Sequence, residues 1–514
     1  MKKIFFIILS ILSLQKLFAQ EPADALRYSW YTSSGTAREQ AVGGAMGSLG
    51  GDISATFVNP AGLGFYKTGD FVLTPRFGFM NNKSTYFSRT ESDKASSPNY
   101  GTSGVVFGGS TYSESKRNRS SAMSIAVNRT ADFKSNILYR GANSQSSYSQ
   151  KFLEEIRNGN IRDANAVAQN FPYGTSLAFN TYWIDTIAGG TSGNYQFQTR
   201  APIATGLLQE NRIISKGGIT ELALGGAANY RDKFYLGFTI GVPLLHYERE
   251  TTFTEADATT NANNKFDYAT FSDKLVTDGA GVNLKFGILY KPVERVRLGF
   301  AIHSPSFLQL TDKYRASVTT NTESYKGTLS QESGLFTGGQ DEQFKYWLFT
   351  PYKLIASASY VLREIEDVRK QKGFLTADIE FINYKASSFT TDPKNDDQAS
   401  KDYLKSLNKA IDNAYKGAFN FRVGGELKFT TIMARLGAAY YGNPYKNING
   451  EKGSRFQLSG GLGYRNKGMF VDLTYVHTMG KDVNFPYRLQ YSTYSGANIK
   501  STNGNVVLTV GFKI

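Results

Sequence analysis

The chain of 514 residues contains no cysteine. That excludes a disulfide framework, thiolate chemistry and lipid attachment at a mature N-terminal cysteine. Histidine is nearly absent as well, with only His246, His303 and His477. Haem ligation needs an axial histidine in a pocket, and three isolated histidines give it little support, although His303 is expected to face inward. In "AIHSPS" His303 stands beside Ser304, but adjacent strand residues point to opposite faces. None of the G-x-S-x-G, H-E-x-x-H or phosphate-loop patterns occurs, so the chain reads as a non-enzyme without cofactor. The acidic stretch "TTDPKNDDQ" (Asp392, Asp396, Asp397) lacks the spacing and glycine of an EF-hand loop and reads as a solvated loop with no metal. No stretch approaches eighteen consecutive apolar residues, so no membrane-spanning helix is expected. The longest apolar run, "IFFIILSILSL", follows "MKK" and precedes Lys16 and Ala19, which predicts a secretory signal peptide over 1–19.

The formal net charge is +15 and the pI about 9.4. An exported chain without a lysine/arginine block, zinc-finger spacing or RNA-binding aromatic motif is not expected to meet nucleic acid. The basic excess instead suits an anionic membrane surface. Glycine (51) and aromatics (36 Phe, 32 Tyr, 3 Trp) are abundant, while hydrophobic residues reach only 40%. This combination suggests many short alternating strands. In "FYLGFTIGVPL", Phe234, Leu236, Phe238, Ile240 and Val242 share one face, and Gly237, Thr239 and Gly241 the other. The same alternation runs through "GVNLKFGILY", "VRLGFAI", "FRVGGEL" and "NVVLTVGFKI".

Fourteen such segments are predicted, near 70–80, 103–112, 120–130, 218–230, 233–248, 279–291, 294–304, 350–363, 372–385, 417–428, 431–442, 455–465, 468–479 and 503–514. Short polar turns ("SESKRNR", "RDK", "KPVER", "REIEDVRKQK", "FTT", "RNKG") fall at every second gap, and long segments between them. That rhythm predicts an all-β fold: a transmembrane antiparallel barrel of about fourteen strands over 70–514, placed in a bacterial outer membrane with both termini periplasmic. Long outer loops are expected at 131–217, 306–349 and 386–416. In two of them Phe152 with Ile156, and Leu404, Leu407, Ile411 and Ala414, recur at helical spacing, as loop helices or as plain loop packing.

Residues 20–69 fit no strand. "TAREQAVGGAMGSLGGDISATFVNPAGLG" is small-sided, and Asn59-Pro60-Ala61-Gly62 predicts one capped helical turn closed by Gly62 or Gly64. Such a segment can plug a lumen that fourteen strands would otherwise leave open. The stretch resembles the N-terminal hatch of the FadL/TodX family of outer-membrane transporters of fatty acids and other hydrophobic compounds, especially its Bacteroidota branch. "VNRTADF", "GILYKPVERVRLGFAIHSPSF", "FRVGGEL" and "NPY" extend the likeness along the chain. The resemblance implies passive uptake of hydrophobic small molecules, with hatch movement and lateral release near a kinked strand. It places the hatch motif on Asp52, Asn59, Pro60, Ala61 and Gly62. It also implies outer-membrane lipid, lipopolysaccharide and the barrel-assembly machinery as partners. Some relatives serve the type IX secretion system as protein-docking shuttles, an alternative that large loops suit and that would add a secreted-protein partner. Three features depart from the family pattern: the size of the loops, the ending in Ile514 rather than an aromatic, and the lack of a recognisable carboxylate clamp.

Inward-facing Lys285, Arg297, Arg422 and Arg435 are expected to pair with Asp378, Glu380, Glu426 and Asp472 as a lattice bracing wall and hatch. Arg297 or Arg435 could alternatively meet a ligand's acid group. The clusters "SLAFNTYWID" (Phe179, Tyr182, Trp183, Ile184) and "FKYWLF" (Phe344, Tyr346, Trp347, Phe349) read equally as bilayer-edge girdle or as a capture groove for an apolar ligand.

Overall fold

The computed structural model describes residues 22–514 apart from 31–33, 114–115, 192, 260, 364–371, 396 and 447–452. The signal segment 1–19, Asp396 and most of "REIEDVRKQK" lie outside these residues. Fourteen strands cross the wall. They are β1 (Asp70–Leu73 and Pro75–Tyr86), β2 (Arg89–Tyr100 and Ser103–Ser113), β3 (Lys116–Asp132 and Ser135–Asn143), β4 (Leu207–Tyr230) and β5 (Phe234–Asp257). There follow β6 (Tyr268–Val293), β7 (Val296–His303 and Phe307–Asn321), β8 (Glu342–Phe349 and Lys353–Leu362), β9 (Gly373–Asn383 and Ser388–Thr391) and β10 (Gly417–Phe429). The last four are β11 (Ile432–Tyr441), β12 (Arg455–Asn466), β13 (Met469–Asn484) and β14 (Ala497–Lys513). Neighbours in sequence pair antiparallel throughout, and β14 returns to β1 from Asp70↔Lys513 to Thr85↔Asn498. The sheet is closed.

The predicted strands are all present and most are longer than the alternation suggested. The hairpin 75–100 and the segments 207–217, 249–257 and 268–278 are strand. So is most of the supposed loop 306–349, through Phe307–Asn321, Thr328–Glu332 and Glu342–Phe349. Their outward side chains turn polar beyond the lipid, which erased the apolar alternation that the sequence reading relied on. On β5 the outward row is apolar from Phe234 to Leu244 and then changes to His246, Glu248 and Glu250. Ten steps of about 3.3 Å at a tilt of about 40° give an apolar belt about 25 Å tall, the height of an outer-membrane hydrocarbon layer. Among the described residues no helix is long and apolar enough to cross a membrane, so the crossing is made by strands.

The inward face carries the charges. Lys285 pairs with Glu221, Arg422 with Glu380 at 2.6 Å, and Arg435 with Glu426 at 2.6 Å and Asp472 at 2.5 Å. Asn283 and Asn420 add hydrogen bonds to Lys285 and Glu380 at 2.7 Å. A buried ion left unpaired would cost several kcal/mol, and Glu221, Glu380, Glu426 and Asp472 each have a cation in reach. Asp378 instead accepts from Ser357 Oγ and Gly47 N, and Arg297 donates to Leu49 O.

Three short helices, α1 (Pro22–Arg27), α2 (Ala37–Ala41) and α3 (Ala55–Val58), precede the wall. Above the belt, the chain between β3 and β4 folds into helices α4 (Ser149–Asn158), α5 (Ala164–Gln169) and α6 (Thr175–Asn180) and the small hairpin Ile184–Thr186/Phe197–Thr199. A further helix, α7 (Gln398–Ala414), follows β9, with Asp397 capping its first turn and Leu404, Leu407 and Ile411 buried. Both helical patterns read in the loops are therefore helices.

Residues 34–66 lie inside the barrel. Their backbone is pressed against glycines of the wall. A Cβ at Gly237 would overlap the Pro60 carbonyl carbon, and one at Gly437 would overlap the Gly43 nitrogen. The small face read from the sequence is thus the surface on which this segment rests. Inserting two side chains there should cost about 1–3 kcal/mol each without touching the lipid face. The Gly237→Val/Gly437→Val variant is expected to keep its wall, seen as unchanged heat-modifiable migration, while residues 34–66 become cleavable by a small protease that spares the wild type.

Candidate functional site

The Asn59 motif forms the knot of the luminal segment. Asn59 is extended (φ −144°, ψ 100°), as a residue before proline favours. Pro60 then opens a 3-10 helix, Pro60–Phe65. The Asn59 Oδ1 accepts from Ala61 N at 3.1 Å, while its Nδ2 donates to Gly47 O at 2.6 Å and to Ile288 O of β6 at 3.2 Å. The turn runs past Gly62 and Gly64 to Phe65, because i→i+3 bonding continues until Tyr66 N meets Leu63 O at 3.0 Å. Gly62 instead supplies a close approach to Gly50, and its carbonyl accepts from Gly51 N at 3.2 Å. Asp52 ties the other side, accepting from Thr36 Oγ1 and Ser54 N, both at 3.0 Å. Ala61 is buried beside Tyr235 and Leu289 of the wall.

This segment hangs from the wall by single polar contacts around the circumference. Gly47 N donates to Asp378, Ser459 Oγ to Ala41 O, Thr474 Oγ1 to Ala37 O, and Ala37 N to Thr509 Oγ1. His303 Nε2 sits 2.9 Å from Val58 O, facing inward as expected. Arg297 donates to Leu49 O at 2.8 Å and lies over the Phe65 ring at 4.7 Å. Arg435 is fully buried between Glu426 and Asp472.

Two cavities flank the segment. One, of about 540 Å³, opens by the short turns and is lined by Asp52, Ile53, Tyr66, Asp70 and Arg465. The other, of about 220 Å³, lies on the long-loop side, between Trp30, Phe79, Met80, Arg455 and Gln457, and reaches Ser97 and Asp132. Ser97 and Asp132 mark a break in the wall. The β2–β3 ladder stops at Ser103↔Val127, just where β2 is interrupted at Gly101 and Thr102. Above it Arg89–Tyr100 pairs only with β1, and Ser135–Asn143 only with β4. Side chains hold the edges together: Asn99 to Asp132 at 2.8 Å, Asn136 to Lys94 O at 3.0 Å, and Arg140 to Glu91 at 2.6 Å. A seam of this kind parts without breaking a continuous ladder.

No family model and no curated protein matches the chain. Solved structures do. A FadL homologue of Pseudomonas aeruginosa aligns with 94% of this chain and 99% of its own length at 14% identity, TM-score 0.54. A deletion mutant of the TodX monoaromatic hydrocarbon channel aligns with 93% of this chain and 98% of its own, at 12% identity and TM-score 0.50. The Pseudomonas putida toluene transporter TodX covers 94% and 99% at 13% identity, TM-score 0.49. The fold is that of a FadL-type barrel.

In this FadL-type barrel the two aromatic clusters separate. Trp183 and Ile184 are fully buried, and Phe179 packs on Phe197, within the core formed by α4–α6 together with Tyr148, Phe152, Phe253 and Phe271. Trp347 and Phe349 take the outward face of β8, where Phe349 meets Phe307 edge-on, while Phe344 and Tyr346 point inward. That inward group belongs to a second core, which fills the upper lumen with the helix Pro22–Arg27 and α7. The cavity residues Trp30, Arg76, Asp132, Arg455 and Gln457 were missed in the sequence. Arg76 and Gln457 lie within the predicted strands 70–80 and 455–465, whose alternation already turns them inward.

Glu255 was also missed, because it stands on the polar continuation of β5 outside the membrane. Its carboxylate accepts from Trp183 Nε1 at 2.9 Å, Tyr148 N at 3.1 Å, Gln209 Nε2 at 3.1 Å and Ser147 Oγ. Burial pushes its pKa above the ordinary value near 4.5, against the pull of these donors. The folded cap therefore binds a proton that the unfolded cap has released, so its stability is greatest at low pH and falls as pH rises from about 4.5 through the raised pKa. Glu255→Gln should remove that slope. It should also cost about 1–3 kcal/mol by turning an amide NH2 toward donors. Hydrogen exchange of the Tyr148 and Trp183 amides against pH, corrected for intrinsic rates, checks both effects.

Proposed function

We propose that this barrel sits in a bacterial outer membrane and passively imports hydrophobic small molecules, as a member of the FadL/TodX family. The observation that carries this reading is the seam beside the upper cavity. An apolar molecule held between Trp30 and Met80 has a sideways exit into lipid at β2–β3, sparing it a water-filled path. The hatch, residues 34–66, closes the direct route between the two cavities. The long-loop side faces outward and both termini are periplasmic, so α4–α7 form the surface that an incoming molecule meets first. The solved structures with this fold are named as a FadL homologue, a toluene transporter and a monoaromatic hydrocarbon channel, which supports the cargo class. Arg297 acts on the hatch through Leu49 and Phe65 rather than as a carboxylate clamp.

The second reading, a type IX secretion docking component, draws on one feature. The insert between β3 and β4 packs a large aromatic core against the strands that rise from the wall. Native mass spectrometry of the barrel released gently from its membrane separates the two. Bound apolar species of a few hundred daltons support the importer. A stoichiometric protein partner over an empty lumen supports docking.

Asn59→Ala removes a cap worth about 1 kcal/mol and leaves Gly47 O and Ile288 O without that donor. It is expected to raise small-solute conductance in planar bilayers; wild-type conductance and uptake together would rule out a gating role. The chain offers no thiol of its own, so Asn99→Cys with Asp132→Cys places the only pair across the seam. Oxidation should stop uptake of an apolar fluorescent probe, and reduction should restore it. Unchanged uptake by the cross-linked barrel would exclude the sideways route.

A further inference from the structure

Three lysines occupy one lateral row of the barrel. Lys83 of β1 is directly opposite Lys500 of β14, and Lys500 is directly opposite Lys481 of β13. All three point outward and are exposed. Each stands immediately beyond a belt of ten residue steps: Phe71 to Asn81 on β1, Phe512 to Thr502 on β14, and Met469 to Met479 on β13. Lys94 of β2, opposite Asn81, joins diagonally from the next strand.

Like charges set directly across a ladder repel. Among the described residues none of the four lysines makes an ion pair, and the outward residues around them are Asn81, Ser92, Asn498 and Thr502, all neutral. Beyond the belt elsewhere the wall pairs its charges, as where Lys274 meets Glu248 at 2.8 Å and Glu250 at 2.9 Å. Here four cations face the headgroup layer with hydroxyls and amides between them.

We propose that this row is a binding site for the phosphorylated sugar headgroup of a lipopolysaccharide in the outer leaflet. Phosphate oxygens bridge Lys83, Lys500 and Lys481, the sugar hydroxyls meet Asn81, Ser92 and Thr502, and the acyl chains descend over Phe77, Phe79 and Tyr475. A bridging dianion removes the cross-strand repulsion, and a lipid disaccharide is wide enough to span neighbouring strands spaced about 4.8 Å apart. The site adjoins β1–β2, so the bound glycolipid covers the outer approach to the seam. The inference rests on the outer-membrane reading, with the long-loop side outward.

The test compares the wild type with Lys83→Gln/Lys481→Gln/Lys500→Gln, each verified as folded by heat-modifiable migration. Retention of purified bisphosphorylated lipid A, of dephosphorylated lipid A and of phosphatidylglycerol is read by native mass spectrometry from mixed micelles. The wild type should retain the bisphosphorylated form, and the triple variant should lose roughly a hundredfold in affinity. Replacing the same lysines with arginine should preserve it. Equal retention by the glutamine variant, equal binding of the dephosphorylated form, or equal binding of phosphatidylglycerol at these lysines would overturn the site. Uptake of the fluorescent probe by the same variants in phosphatidylglycerol vesicles reports on transport separately, so the two readings can fail independently.

Discussion

Hydrocarbon offers no partner for an amide N–H or a carbonyl, and the rest of this structure follows from that. Every strand in the belt must pair on both sides, so β14 has to find β1 and the sheet must close. Closure of fourteen strands leaves a lumen too wide for opposing side chains to fill. The inward faces therefore carry charge, and the charges settle among themselves: Lys285 with Glu221, Arg422 with Glu380, Arg435 with Glu426 and Asp472. What space remains is taken by the N-terminal segment, whose small residues lie against wall glycines. Between β2 and β3 the ladder is incomplete above Ser103↔Val127, and the gap is patched by side chains such as Asn99 and Asp132.

How far this was legible depends on where each residue sits relative to the lipid. Within the belt, alternation such as Phe234 through Val242 identified strand, face and count together, because one face must be apolar. Beyond it that requirement lapses. Residues 268–278 set Thr270, Ser272, exposed Lys274 and half-buried Val276 on one side against buried Phe271, Asp273, Leu275 and Thr277 on the other, so polar residues interrupt both faces. The Asn59 turn was readable since an N-cap and a following proline are local signals, and only its 3-10 continuation to Phe65 depended on tertiary packing. The separate fates of Trp183 and Trp347 were not readable. Each sits in a similar aromatic run, and which one is core follows from Glu255 and the helices around it.

Outside the membrane the chain behaves as a small soluble domain would. The cap has a mixed aromatic core from Tyr148, Trp183, Phe253 and Phe271, and a buried carboxylate satisfied by four donors. It is anchored on strands that continue directly out of the wall, so its core is shared with the extended mouth of the barrel.

The hatch touches the wall from Ser124 on β3 to Thr509 on β14, yet it precedes every strand in the chain. The contact between Ala37 and Thr509 spans 472 residues. This segment, made before any strand of the wall, therefore has no complete seat until the last strand arrives. It must be carried unfolded inside a partly rolled sheet, or act as the form around which the sheet rolls. Either order leaves the contact set of this segment incomplete until the last strand pairs, and ties its completion to the closing of the barrel itself.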